Sequence, residues 1–165
     1  MIQFPIRPAA LVVLTLLVLP HSRGTSVTGT IVDETTGRAV PARLYIQGAD
    51  GTWFFAESAS PDGSSVRYDR KSGLNTNSVE RHVTLSAHPF KADLKPGRYT
   101  FTVERGKEFL PLVRTVDVGD KDHDVRLPIH RWVNMASRGW YSGDTHVHRD
   151  PLELRNTALA EDVNV

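Results

Sequence analysis

Two histidines and an aspartate near the carboxyl end of the chain have the types and spacing of metal ligands. They are Asp144, His146 and His148, in the segment GWYSGDTHVH that starts at Gly139. If this segment forms a β-strand, side chains two residues apart share a face and lie about 6.5 Å apart. Imidazole nitrogens on such a face can reach one metal ion, or two adjacent ions, at the roughly 2.0–2.1 Å that zinc prefers. The spacing therefore predicts a site for a divalent metal.

A structural or coincidental pair of histidines is the alternative explanation. With seven histidines in 165 residues, a chance His-x-His is expected about 0.3 times per chain. The context favours metal binding, because a glycine-flanked entry and an acidic residue precede the pair and a helix-like run follows it. The histidines at positions 82, 88, 123 and 130 lack ligand spacing and are predicted to be structural or exposed.

The motif resembles a known family of hydrolases. The run DTHVH at residues 144–148 is similar to the opening Asp-x-His-x-His motif of the PHP (polymerase and histidinol phosphatase) metal-dependent hydrolases. The preceding GWYSGD is similar to their CehA/McbA-like branch, and the resemblance covers about the last 30 of the 165 residues. Arg149 and Asp150 replace the small hydroxyl residue that often follows the second histidine, so the family's substrate contacts do not transfer directly.

The resemblance implies hydrolysis of a small-molecule or phosphoester substrate with bound Zn, Mn or Fe. It implies that His146 and His148 are ligands at the carboxyl end of a first barrel strand. Asp144 is then a further ligand or a group that orients one, and a purely structural carboxylate is the alternative. Glu161 and Asp162 stand where the following helix should end, and solvation of a helix end is the favoured explanation for them, with metal binding as the alternative.

The chain is too short to hold a complete catalytic domain of this kind. A PHP domain resembles a distorted (β/α)7 barrel, and even the related eight-unit barrel needs about 250 residues. The 36 residues from His130 to Val165 therefore predict only the first β-α unit of an incomplete PHP-type (β/α)7 barrel, with a helix that begins at Pro151. This predicts an N-terminal fragment of a hydrolase, inactive by itself, and leaves open whether the chain is an enzyme.

The amino-terminal residues have the features of an export signal. Arg7 supplies a positive charge, Ala9 to Leu19 is an apolar run of eleven residues, and Pro20 ends it. These features predict a signal peptide over residues 1–24, a periplasmic or extracellular location, and no stable membrane span once the signal is removed. A retained membrane anchor is the alternative, although eleven residues fall short of the ~20 that span a bilayer.

Charge and cysteine content restrict the partners and the source of stability. The formal net charge is +1, and it becomes −1 without residues 1–24, which contain Arg7 and Arg23 and no acidic residue. This gives no basic patch, so no nucleic-acid partner is predicted. The chain has no cysteine, and an exported domain of this kind must be stabilised by a buried core instead of disulfides.

Residues 25–129 show short alternating apolar runs that are separated by turn residues. About seven strands and no convincing helix predict a mainly β fold, one antiparallel β-sandwich with immunoglobulin-like or transthyretin-like topology. Residues 56–81 break the pattern and predict a long loop or insertion. The alternation predicts these buried residues: Ile31, Leu44, Ile46, Leu85, Tyr99, Phe101, Val103 and Val118.

Two motifs in this region resemble the carboxypeptidase regulatory-like domains. GTIVD at 29–33 with TGRAVPAR at 36–43 is similar to their first hairpin, and LKPGRYTF at 94–101 is similar to a late strand entry. The resemblance implies an accessory sandwich over residues 25–129, followed by the start of the PHP-like domain over 130–165. The alternative function is a non-catalytic β-sandwich binding or interaction module.

Overall fold

The computed structural model describes residues 24–71 and 79–164, and all of its strands lie between Thr25 and Ile129. The export signal predicted over residues 1–24 lies outside the described residues except for Gly24. No helix in the described ranges is long and apolar enough to cross a membrane. The elements are β1 (Thr25–Asp33), β2 (Ala42–Gly48), β3 (Trp53–Phe54), β4 (Glu57–Ser58), β5 (Ser65–Lys71), β6 (Val79–Leu85), β7 (Phe90–Leu94), β8 (Gly97–Glu104), β9 (Leu112–Val118), β10 (His123–Ile129), a 3-10 helix (Ala136–Arg138) and α1 (Pro151–Ala160).

The strands form two sheets that enclose one core, which is the predicted β-sandwich. The first sheet has the order β10-β1-β7-β4, and the second has the order β5-β6-β2-β8-β9 with β3 paired to β2. All pairs are antiparallel except β1 and β10, which run parallel from Val27 opposite His123 to Asp33 opposite Ile129. The prediction of a purely antiparallel sandwich was wrong for this pair. Parallel pairing needs a long connection, and the rest of the sandwich supplies it.

The space between the sheets holds the core that the alternation predicted. All eight residues predicted to be buried are buried, and Leu44, Ile46 and Phe101 have no exposed surface. In β8 the odd-numbered positions 99, 101 and 103 face the core, whereas Thr100 is exposed and Thr102 is half-buried. Each fully buried side chain of this size contributes about 1.5–3 kcal/mol to the free energy of unfolding. Burial of one face of each strand therefore determines the strand register.

The prediction of one long loop over residues 56–81 was wrong, because this stretch contains β4, β5 and the first residues of β6. β5 escaped detection because Tyr68 is its one fully buried side chain among mostly charged neighbours, so apolar alternation is missing. β7 also forms a strand, in which Phe90, Ala92 and Leu94 are buried and the residues between them are exposed. β5 extends the second sheet and contacts the carboxyl-terminal helix, whereas β7 belongs to the first sheet.

Helix α1 covers part of the outer face of the second sheet. For this reason residues 82–85 of β6 are buried on both faces, with Val83 in the core between the sheets and His82 and Thr84 under the helix. The side-chain amide of Asn156 in α1 donates a hydrogen bond of 2.8 Å to the carbonyl oxygen of Thr84. The segment after the sandwich is therefore packed against it through polar contacts.

Candidate metal-binding site

His146 and His148 bring their imidazole rings together on an exposed segment directly before α1. Their Nε2 atoms are 2.6 Å apart, and the ring centroids are 4.5 Å apart. Two nitrogen ligands of one tetrahedral zinc ion at 2.0–2.1 Å lie about 3.3 Å from each other. The two Nε2 atoms must move about 0.7 Å apart to reach that separation, and the pair would then occupy two ligand positions on a divalent ion of the kind that imidazole suits.

Asp144 is not aimed at the point where the two rings meet. Its Oδ1 atom accepts a hydrogen bond of 3.0 Å from the backbone N–H of His146. An aspartate that bonds the backbone two residues later stabilises a local turn. Within residues 24–71 and 79–164, no group of three or more His, Cys, Asp or Glu side chains could hold a metal ion. The structure thus brings together two of the three predicted ligands, and a ligand role for Asp144 stays a prediction.

The backbone from Gly139 to His148 is irregular, so the strand predicted for this stretch does not form. A strand requires a neighbour that satisfies its backbone N–H and carbonyl groups. One such contact is present, because the N–H of Asn164 donates to the carbonyl oxygen of Ser142 at 3.0 Å. The N–H of Ser142 in turn donates to Oδ1 of Asn164 at 3.1 Å. This pairing joins the residues before the histidine pair to the residues after α1.

Helix α1 begins directly after the histidine pair, as predicted from its proline. Asp150 is the N-cap residue, and its Oδ1 accepts a hydrogen bond of 2.8 Å from the backbone N–H of Leu152. Pro151 occupies the first turn, where its missing N–H costs no helical hydrogen bond. The partly apolar face that includes Leu152 and Leu159 is not packed, because these side chains are 92% and 43% exposed. The helix packs instead through Asn156 and its neighbours.

The acidic residues at the end of α1 form ion pairs with the sandwich and with Arg131, which follows the last strand. Asp162 accepts hydrogen bonds from Nη2 of Arg105 at 2.5 Å and from Nη2 of Arg131 at 2.9 Å. Arg105 also donates to a backbone carbonyl in the last turn of α1, and Glu161 pairs with Arg43. Burial lowers the pKa of the Arg105 guanidinium below its usual value, and the nearby carboxylate of Asp162 opposes that shift. These contacts show Glu161 and Asp162 in ion pairs that hold the helix end.

Gly106 allows the close approach between the sandwich and the end of α1. Its φ angle is +48°, in the left-handed region that favours glycine. A Cβ atom at this position would lie 2.5 Å from the carbonyl oxygen of Glu161. The contact between the two parts of the chain therefore requires glycine at position 106.

An aromatic and imidazole cluster under α1 was not predicted from the sequence. The ring of His82 is stacked on Tyr68 at a centroid distance of 4.9 Å and lies 5.2 Å from Tyr45. Burial, and then the charges of Arg43 and Arg149, lower the pKa of His82 from 6.5 to about 4. Its Nδ1 atom has no hydrogen-bond partner among the described residues. Alternation in β6 could have placed His82 on the outer face, but it could not have shown that a helix covers it.

A cleft of about 890 Å³ lies beside the histidine pair, between the sandwich and the carboxyl-terminal segment. Trp140 and Tyr141 line it together with Asp144, Lys107 and Leu154. The two histidines do not belong to its lining, although Val147 between them and Arg149 after them do. The cleft therefore adjoins the segment that carries the histidine pair.

The sequence matches no protein-family model, and a search of curated proteins gives no match. Among solved structures, the chain is similar to the group B streptococcus pilus 2b backbone protein, with 14% sequence identity and a TM-score of 0.44. The similarity covers 66% of this chain and 41% of that chain, so this chain spans about two fifths of the length of the pilus protein. A similarity at this level carries no argument about function, and the description of the fold rests on the strands themselves.

Proposed function

We propose that the chain supplies the first metal-binding segment of an exported metal-dependent hydrolase and that the β-sandwich holds this segment in place. The observation that carries the proposal is the 2.6 Å approach of the two Nε2 atoms of His146 and His148. Both rings are exposed, and at this distance one Nε2–H can donate a hydrogen bond to the other Nε2, which a cation bound between the rings would replace. Convergent imidazoles at the surface are the arrangement that a shared cation stabilises.

A metal bound at this pair would acidify a bound water to a pKa near 7 and so supply the nucleophile for hydrolysis of a small-molecule ester or phosphoester. The residues of the chain would bind the metal and orient its ligands. His146 and His148 each provide a neutral ring nitrogen, and Asp144 maintains the turn that brings His146 toward its partner. The apolar amino-terminal run supports the export part of the proposal.

The number of ligands limits what the chain achieves by itself. A structural zinc site has four protein ligands and a catalytic site about three. The described residues offer two convergent imidazoles, so the proposed hydrolase requires further ligands. We therefore expect the 165-residue chain to bind zinc or manganese weakly and to hydrolyse nothing by itself.

Calorimetric titration of the intact chain with zinc and with manganese tests the proposal. We expect weak binding that the double variant His146→Ala/His148→Ala abolishes. The matched control is His123→Ala/His130→Ala, which removes two exposed imidazoles elsewhere and should bind as the unchanged chain does. Equal binding by the His146→Ala/His148→Ala variant would reject the site. Tight binding with phosphoesterase turnover would show that the chain supplies more ligands than the two proposed.

A second candidate function, a non-catalytic binding module, is supported by a separate cleft of about 660 Å³ on the sandwich. The turns after β2 and β7 border it and provide Asp50 and Lys95, and Arg98 at the start of β8 also lines it. Loops at the end of a rigid sandwich commonly carry binding residues, and charges of both signs suit a polar peptide or carbohydrate. Arrays of glycans and peptides probed with the intact chain test this function. Binding that Arg98→Ala removes and His146→Ala/His148→Ala retains would favour it over the hydrolase.

A further inference from the structure

We infer that Tyr68, a residue of the sandwich, positions the histidine pair by holding the turn between His148 and α1. The role of the pair rests on the proposed function, whereas the contacts of Tyr68 do not depend on it. Tyr68 is 1% exposed but does not belong to the core cluster between the sheets. It is therefore buried by the segment that follows the sandwich, and its contacts define that interface.

Tyr68 contacts residues on both sides of the start of α1. The guanidinium carbon of Arg149 lies 4.4 Å from the centroid of the Tyr68 ring. The hydroxyl of Tyr68 donates a hydrogen bond of 3.3 Å to Oε2 of Glu153. Arg149 follows His148 directly, and Glu153 lies in the first turn of the helix. One aromatic side chain thus connects the residue after the second histidine with the helix that begins two residues later.

Other residues of the sandwich hold the ring of Tyr68 in place, so Arg149 contacts a rigid surface. The ring of His82 in β6 stacks on Tyr68 with an angle of 25° between the ring planes. Arg149 also approaches Oε1 of Glu80 in the same strand at 3.8 Å. A cation over an aromatic face is stabilised most when both groups are shielded from water. Here the ring is buried, and the Arg149 side chain is 27% exposed.

The histidine pair needs such support because its own segment has few internal contacts. The pair itself is exposed, and the turn made by Asp144 and the pairing of Ser142 with Asn164 hold only the entry side. Two ligands bind a metal well only when the protein maintains their separation before binding. Fixing Arg149 restricts the backbone of His148 on the exit side. Tyr68 is thus a positioning residue that would act on the metal through Arg149.

Hydrogen exchange of the metal-free chain over residues 144–156 tests the contact directly. We expect Tyr68→Ala and Arg149→Gln to raise exchange there about tenfold, with the core strands unchanged. Tyr68→Phe keeps the ring under Arg149 and loses only the bond to Glu153, so it should restore most of the protection. The control is Arg67→Gln, because the guanidinium carbon of Arg67, the residue before Tyr68 in β5, lies 3.8 Å from the ring centroid of Phe55 in a more exposed stack that does not involve Tyr68.

Zinc affinity is the second measurement, and it separates this inference from the proposed function. We expect affinity to fall about tenfold in Tyr68→Ala and Arg149→Gln and to stay unchanged in Arg67→Gln. Unchanged exchange and unchanged affinity in both variants would overturn the inference while leaving the metal site intact. Raised exchange together with no zinc binding by the unchanged chain would reject the metal site and support the positioning contact. Arg149→Gln alters no side chain of the sandwich, so its result does not depend on correct folding of a Tyr68 variant.

Discussion

The sandwich and the segment of residues 130–164 are held by different forces. In the sandwich, side chains such as Phe101 are completely buried between the sheets. In the segment, Trp140, Tyr141 and Leu152 are 69%, 66% and 92% exposed. The segment is attached instead through ion pairs and hydrogen bonds, of which the cluster around Asp162 is the densest. Apolar burial therefore stabilises the sandwich by itself, whereas the segment takes its position from the sandwich.

The two kinds of contact have different roles: apolar burial stabilises the fold, whereas ion pairs determine where an element lies. Burial of apolar area is non-directional and contributes most of the free energy of folding. Ion pairs that are partly removed from water gain little net stability, because desolvation offsets their attraction, but they are directional. Arg105 contacts both Asp162 and a carbonyl at the end of α1, so it determines where the helix lies. The proposed ligands are thus located by contacts that add little to global stability.

Phe101→Ala should have the largest effect on the free energy of unfolding. It deletes a buried ring from the centre of β8 and should lower that free energy by about 3–5 kcal/mol. The contrasting variant is Trp140→Ala in the segment, where most of the ring is exposed and a change below about 0.5 kcal/mol is expected. Denaturant unfolding measures both. Similar losses for the two variants would show that the segment shares the hydrophobic core.

The sequence was sufficient for the core because strand alternation is a local pattern. Val27, Gly29 and Ile31 alternate within five residues, and so do the buried positions of β8. β5 shows no such alternation, because Tyr68 is its one fully buried residue and its neighbours are mostly charged. The element that buries Tyr68 is a helix more than 80 residues later in the chain. A pattern within one strand cannot show which distant element covers its outer face.

At the candidate site, the histidine pair could be predicted from the sequence, whereas the contacts that anchor it could not. His146 and His148 are two residues apart and their rings meet, although the strand that was expected to place them on one face does not form. The residues that anchor them lie far apart in sequence, because Arg105 and Arg131 are 57 and 31 residues from Asp162. Charge alone could not distinguish this ion-pair cluster from metal ligands or from solvated residues at a helix end. The anchoring therefore required the three-dimensional arrangement.

The buried His82 lies between the sandwich and α1 and makes the free energy of unfolding depend on pH. Its pKa is about 4 in the folded chain and 6.5 in an unfolded one. Between these pH values the unfolded chain binds more protons than the folded one. The contribution of His82 to the free energy of unfolding is therefore fully present above pH 6.5 and decreases as the pH falls toward 4. The loss for this residue is on the order of 3 kcal/mol at the acid end. Unfolding measured from neutral to acid pH should show it.

His82→Gln is the matched variant for the pH experiment, because glutamine remains polar but does not titrate in this range. Carboxylates also titrate toward acid pH, so the informative quantity is the difference between the two proteins. We expect the variant to lack the part of the pH dependence that belongs to His82. Identical pH profiles would indicate that His82 is accessible to protons, and hence that α1 opens readily from the outer face.

Asp162→Asn should loosen the segment without affecting the sandwich core. The change leaves Arg105 and Arg131 close together without a carboxylate, at a cost of about 2 kcal/mol in the local stability of the helix end. Hydrogen exchange should rise over residues 150–164 and stay constant in the core strands. Asp120→Asn in the exposed turn before β10 is the control. An equal rise in the core strands would contradict the separation of the two regions.

The smallest effect is expected at the start of α1, where Asp150 caps the helix. Its Oδ1 accepts the N–H of Leu152, which otherwise has no partner within the helix. Asp150→Ala should cost about 1 kcal/mol, seen as faster exchange in the first turn with an unchanged midpoint of global unfolding.

Asp150→Asn distinguishes the hydrogen bond from the charge at this position. Asparagine caps a helix about as well as aspartate, and it loses only the interaction of a negative charge with the helix dipole. We therefore expect Asp150→Asn to retain most of the protection that Asp150→Ala loses. An equal rise of exchange in the two variants would assign the effect to the charge, whereas exchange in both that equals that of the unchanged chain would mean that the cap contributes nothing measurable. The contact of Tyr68 with Arg149 and Glu153 would then be sufficient to hold the first turn, and the sandwich alone would determine where α1 begins.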